Sequence, residues 1–231
     1  MVRNRKVFKI VGILLIILYA CSSNDYTDPN QILNHTKKTF GGETNISGLL
    51  DHFPVKIKNR NIFFEIYPPY CPPSCKCTTQ SGDVYLNVSK TDYKNELKKL
   101  LNGKVLYTTN YIDSNNIIIN LTDLRQNNFP VKKCNKSFSD KFPIPYFEHY
   151  DFGLGVKEEK KEVNGELYFN YIHNVPKDLK VYVLAAQAGN FWKFDCKENR
   201  PESLGKWKHG YSKGVAVSDK YDRVVFWVII W

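Results

Sequence analysis

The sequence predicts an α+β fold: a single domain with a mostly antiparallel sheet, one clear helix at about 91–102, and a buried C-terminal hairpin. Three observations carry that prediction. Short runs rich in Val, Ile, Tyr and Phe recur between breaks rich in Pro, Gly and Asn. Tyr93, Leu97, Leu100 and Leu101 repeat at the spacing of one helix face. The run 224–231 is apolar at all eight positions, too short to cross a bilayer, and so reads as a strand buried on both faces.

The chain opens with Arg3, Arg5, Lys6 and Lys9, has no acid before Asp25, and continues as an apolar run over 10–19. A basic start, a short apolar stretch and a small-residue exit form a secretory signal. A membrane span needs roughly 20 apolar residues, about twice what stands here. Leu18-Tyr19-Ala20-Cys21 places an aliphatic residue three positions before a cysteine and a small one just before it. This resembles the lipobox of bacterial lipoproteins. The resemblance implies that Cys21 is thioether-linked to a diacylglyceryl group and becomes the acylated N-terminus after cleavage. The portion from Tyr182 to the last residue is similar to uncharacterised small Gram-negative lipoproteins, a likeness without a motif that carries a function. The expected organisation is a signal peptide over 1–20, a lipidated N-terminus and flexible tether over 21–45, and a globular domain over 46–231.

The elements follow in order. Residues 22–45, rich in Ser, Asn, Asp, Thr and Gly, read as the tether. Residues 49–53 form a short helical turn that Pro54 stops. Strands are expected over 61–67 and 83–88. Ser89 and Asp92 stand in capping-box relation ahead of the helix, and Gly103 ends it. Strands resume over 104–109 and 116–121. Pro130, Pro143 and Pro145 make 129–145 irregular. Strands at 166–173 and 179–185 precede the closing hairpin, 214–218 and 223–231, turned at Asp219 to Asp222.

The formal net charge of +10 falls to +6 once the four basic leader residues are removed. This scattered basic balance points to anionic partners at an envelope: lipid headgroups, a glycan or an acidic protein. The expected partners are the membrane, through the lipid anchor, and an anionic envelope glycan or partner protein; nucleic acid is set aside. Cys71, Cys75, Cys77, Cys134 and Cys196 remain beside Cys21 and are read as disulfide candidates in an oxidising compartment. Five is odd, so at most two bridges form, and sequence leaves their pairing open. The tight Cys71-Pro-Pro-Ser-Cys75-Lys-Cys77 cluster lacks a zinc spacing, so no metal and no cofactor are expected.

Two further places hold reactive side chains. Glu148, His149 and Asp151 could act as acid, base or ligand, although His149 lacks the i+4 partner of a helical zinc site. Trp192, Lys206, Trp207, Lys208, His209, Tyr211 and Lys213 interleave aromatics and cations, and form the candidate binding surface. No Gly-x-Ser-x-Gly elbow of a serine hydrolase is expected anywhere in the chain. The expected function is a membrane-anchored envelope lipoprotein with a non-catalytic binding role. The alternative is an envelope hydrolase using Glu148, His149 and Asp151 or a cysteine.

Overall fold

The computed structural model describes residues 28–58, 63–66, 81–103, 105–114, 116–121, 141–163, 166–193 and 202–231. The expected signal peptide, the expected lipidation position Cys21 and the five disulfide candidates, Cys71, Cys75, Cys77, Cys134 and Cys196, lie outside the described residues.

The expected α+β architecture is present. Six strands form one antiparallel sheet in the order β1-β2-β10-β9-β8-β3. They are β1 (Phe63–Ile66), β2 (Gly82–Ser89), β3 (Tyr107–Asn110), β8 (Lys180–Ala188), β9 (Gly210–Ser218) and β10 (Arg223–Ile230). Two small ladders stand apart from it. One pairs β4 (Ile117–Ile119) in parallel with β5 (Pro143–Pro145), and the other joins β6 (Val156–Val163) and β7 (Glu166–His173) as a hairpin.

The uniformly apolar run explains the layering. In a strand, alternate side chains point to opposite faces. On β10, Val224, Phe226, Val228 and Ile230 join one core cluster, while Val225, Trp227 and Ile229 join the other. β10 also lies inside the sheet, between β2 and β9, so both of its edges are hydrogen-bonded. Both sheet faces must therefore be covered. Helices α1 (Pro29–Glu43) and α2 (Lys94–Leu101) and the turns at 47–52 cover the first face. The β4–β5 pair and the short 3₁₀ segments Phe147–His149 and Glu202–Trp207 cover the second.

Helix α1 corrects the tether expectation. Asp28 caps it by accepting from the Asn30 N–H at 2.9 Å, and Pro29 occupies the first turn, where its missing N–H costs nothing. Leu33, Thr36 and Phe40, spaced for one helix face, are buried to 2% exposure or less. The folded unit thus includes residues assigned above to a linker, and a second helix stands beside the expected one.

Helix α2 begins as a 3₁₀ turn at Thr91–Tyr93 and ends at Leu101, close to the expected 91–102. Its start is not fastened by a Ser89–Asp92 box. Ser89 Oγ instead donates to Asp222 at 2.6 Å, and the Thr91 N–H and hydroxyl donate to the same carboxylate at 2.9 and 2.7 Å. Asp222 sits in the β9–β10 turn at φ 52, so the hairpin itself caps the helix. The hydroxyl of Ser89, followed by the bonds from Thr91, holds the Asp222 carboxyl below its ordinary range. Asp222→Asn keeps a residue that tolerates this backbone but removes the charge-assisted acceptor. It should cost about 1–2 kcal/mol in urea unfolding, and an unchanged midpoint would remove the hairpin from the capping role.

Candidate functional site

The three acid–base residues emerge from the 146–155 loop, which crosses the second face of the sheet. Phe147 and Tyr150 drive the loop into the core: Tyr150 stacks on Tyr85 of β2 at 3.8 Å, and Phe147 meets Trp227 edge-on at 6.2 Å. Glu148 and His149 are left half-buried at the rim. The Glu148 carboxylate accepts from the Tyr146 hydroxyl at 2.5 Å, and the His149 ring stands edge-on to Tyr146 at 4.7 Å. Asp151 belongs to a different neighbourhood. Its Oδ1 accepts from the Gly153 N–H at 2.7 Å and lies 3.5 Å from His173 Nδ1 on β7. Its backbone carbonyl accepts from Asn87 Nδ2 at 2.6 Å, and its N–H donates to the Tyr85 hydroxyl at 3.4 Å. The histidine facing Asp151 is therefore His173, a residue that sequence reading did not single out.

The aromatic and basic candidates separate onto opposite faces. Trp207, 3% exposed, packs on Trp231 and Phe142 over the second face. Trp192, 5% exposed, packs on Phe40 of α1 over the first. Tyr211 meets Phe191 on that helical side, and Lys213 donates to the Gly48 carbonyl at 2.9 Å. Burial pushes the Lys213 ammonium below its ordinary range. Lys206 lies 5.4 Å over the Trp207 ring, and Lys208 and His209 follow it into β9. The seven residues do not compose one binding surface. The reason is physical: an indole removed from water contributes more in a core than at a rim, and both tryptophans are placed accordingly.

The expectation that the chain holds no Gly-x-Ser-x-Gly run is corrected by Gly210-Tyr211-Ser212-Lys213-Gly214, which has the spacing of a serine-hydrolase elbow. That chemistry needs the serine on a sharp turn between a strand and a helix. Here all five residues lie within β9, and Ser212 is 0% exposed. The glycines have another cause. A Cβ on Gly214 would collide with the Tyr182 carbonyl and stand 2.7 Å from the Trp227 ring; one on Gly210 would stand 3.0 Å from Trp231. The spacing makes room for two indoles lying across the strand. The Ser212 hydroxyl, fully buried, has no hydrogen-bond partner among the described residues. Ser212→Ala is therefore expected to hold or raise the thermal midpoint, because it deletes an unsatisfied polar group. A fall equivalent to more than about 1 kcal/mol would show that the hydroxyl is engaged.

No known protein family, curated protein or solved structure matches this chain. Among the described residues, no group of three His, Cys, Asp or Glu side chains is placed to hold a metal ion. What the second face does assemble is a continuous polar corner of Asn87, Asp151, Gly153 and His173 beside the start of β10.

Proposed function

We propose that this chain is an exported lipoprotein, acylated on Cys21 and held at a cell-envelope membrane, whose folded part is a non-catalytic module that binds an envelope component. The observation that carries the proposal is the run from the basic start through Leu18-Tyr19-Ala20-Cys21. Each buried methylene contributes about 0.8 kcal/mol, so two or three acyl chains on one residue anchor firmly. The early start of the fold adds a geometric consequence. Seven residue steps separate Cys21 from the helix cap at Asp28, a span of at most about 25 Å when extended, so the domain is held near the surface.

A binding role is supported by what the loop carboxylates do. Glu148 and Asp151 each accept hydrogen bonds that hold their own loop in place. The hydrolase alternative draws on the 3.5 Å approach of Asp151 to His173 rather than on His149. Disulfide formation is supported by the described flanks of the cysteine-bearing segments. β2 starts at Gly82 opposite Ile230, β9 starts at Gly210 beside Trp231, and Phe142 rests on Trp207. These flanks share one end of the sheet.

The test is metabolic labelling with radioactive palmitate. The wild-type chain should incorporate label and sediment with membranes, and Cys21→Ser should do neither. An unlabelled wild-type chain would overturn the proposal.

A further inference from the structure

At the other end of the sheet, Arg223 opens β10, in register with Ser89 on β2 and Ser218 on β9. Strand alternation puts it on the second face, with Val225 and Trp227. The side chain is half-buried, and Nη2 lies 3.5 Å from the position a Cβ on Gly153 would take. Among the described residues, no carboxylate or carbonyl accepts from this guanidinium, although it carries five donors. Gly153 leads directly to the polar corner, since its N–H donates to the Asp151 oxygen that faces His173. Gly153 and Gly155 hold φ values of 70° and 82°, left-handed backbone that admits glycine and keeps the approach clear of side chains. Behind them Asn87 is 2% exposed, and its Oδ1 has no partner among the described residues.

An apolar shelf adjoins these polar groups. On β7, Tyr171 shares a face with His173 and lies roughly 7 Å along the strand. It is 61% exposed. Val156, opposite His173 in the hairpin register, is 52% exposed. An exposed aromatic side chain two residues from His173 on β7, and an arginine without a carboxylate or carbonyl acceptor among the described residues at the Gly153 end of the same corner, suit a ligand with both a flat apolar surface and an anionic group. The guanidinium fork matches a carboxylate in shape and charge. Asp151 supplies an acceptor for hydroxyls at the same place.

We infer that this corner binds a sugar ring bearing a carboxylate: the carboxylate on Arg223, a ring hydroxyl on Asp151, and the C–H face of the ring on Tyr171. The inference rests on the binding role proposed above and gives it a place and a ligand class. It also moves the anionic-glycan contact away from Trp192 and Trp207, which are buried.

The test uses the mature lipidated protein in detergent micelles, with glucuronate as the probe and glucose and acetate as controls, followed by saturation-transfer NMR. Glucuronate should bind saturably, with each control weaker by roughly tenfold or more. Arg223→Gln should weaken glucuronate by roughly tenfold. Tyr171→Ala, at an exposed position, should weaken it severalfold while the thermal transition stays in place. If glucuronate fails to saturate, or binds Tyr171→Ala and wild type alike, the site is overturned. Acetate binding as tight as glucuronate would overturn the sugar assignment. Membrane-bound, palmitate-labelled protein that ignores glucuronate sinks this inference alone, whereas glucuronate binding by an unlabelled chain sinks only the lipoprotein reading.

Discussion

A chain ending at Phe226 will not fold. The five residues that follow, Trp227, Val228, Ile229, Ile230 and Trp231, are each exposed by 1% or less and alternate between the two cores. Burying a large apolar side chain contributes about 1.5–3 kcal/mol. Their sum rivals the 5–15 kcal/mol by which a whole domain is typically stable. Their removal also strips ladder partners from β2 and β9 on both sides of the gap. The indole N–H of Trp231 donates to the Trp207 carbonyl at 2.7 Å, and its backbone exchanges two hydrogen bonds with Gly210 at 3.0 Å. The cover over the second face is thereby lost as well. Circular dichroism of the truncated chain should show no cooperative thermal transition. A cooperative transition near the full-length midpoint would contradict the account of the sheet.

The second large effect is a loss of stability in mild acid, caused by His52. This residue is 7% exposed beneath the turns at 47–52, with Nε2 3.0 Å from the Trp227 carbonyl and its ring edge-on to Phe53 at 4.8 Å. Burial, and then the neighbouring Lys213 charge, pull its pKa from 6.5 to about 3. The folded state thus keeps the ring neutral while the unfolded chain protonates it, so unfolding takes up a proton throughout that window. Stability contributed by neutral His52 is full above pH 6.5 and is lost as pH falls toward 3. At about 1.4 kcal/mol per pH unit, the loss by pH 4.5 is on the order of 3 kcal/mol. Urea unfolding of wild type and His52→Gln at pH 7.5 and 4.5 isolates this contribution from that of the carboxylates. The wild type should lose about 3 kcal/mol more than the variant on acidification; equal losses would mean that the ring is free to charge in the fold.

Much of the sheet was legible because burial leaves a pattern. The all-apolar closing run announced a strand covered on both faces, and the Tyr93, Leu97, Leu100, Leu101 spacing announced α2. Other features depended on partners distant in sequence. The Ser89–Asp92 pair had the form of a cap, but Asp222, 133 residues after Ser89, supplies the bonds. Helix α1 carried readable signals, the Asp28-Pro29 start and the Leu33, Thr36, Phe40 spacing, yet Gly41-Gly42 and a polar composition hid them. β5 was missed because Pro143 and Pro145 cannot donate to a ladder; as a short strand that pairs, among the described residues, with β4 alone, it tolerates them.

At the candidate site, Glu148 and Asp151 were found as reactive groups but not as members of separate neighbourhoods. Which way a loop turns its side chains depends on what packs beneath it, here Tyr85 under Tyr150. The tryptophans illustrate the same limit. Sequence placed Trp192 and Trp207 among lysines, whereas the fold divides them between two cores. Arg223 gave no local signal at all. Its significance comes from Gly153 approaching it over the sheet and from the absence of a partner among the described residues.

The proposed anchoring is tested most directly by the intact mass of the protein extracted from the envelope, recorded before and after reduction. The account predicts a polypeptide starting at Cys21, heavier than its sequence by a diacylglyceryl group and an N-acyl chain, that gains two hydrogens on reduction for each bridge opened, four at most. A soluble protein of unmodified mass that still carries residues 1–20 would contradict it.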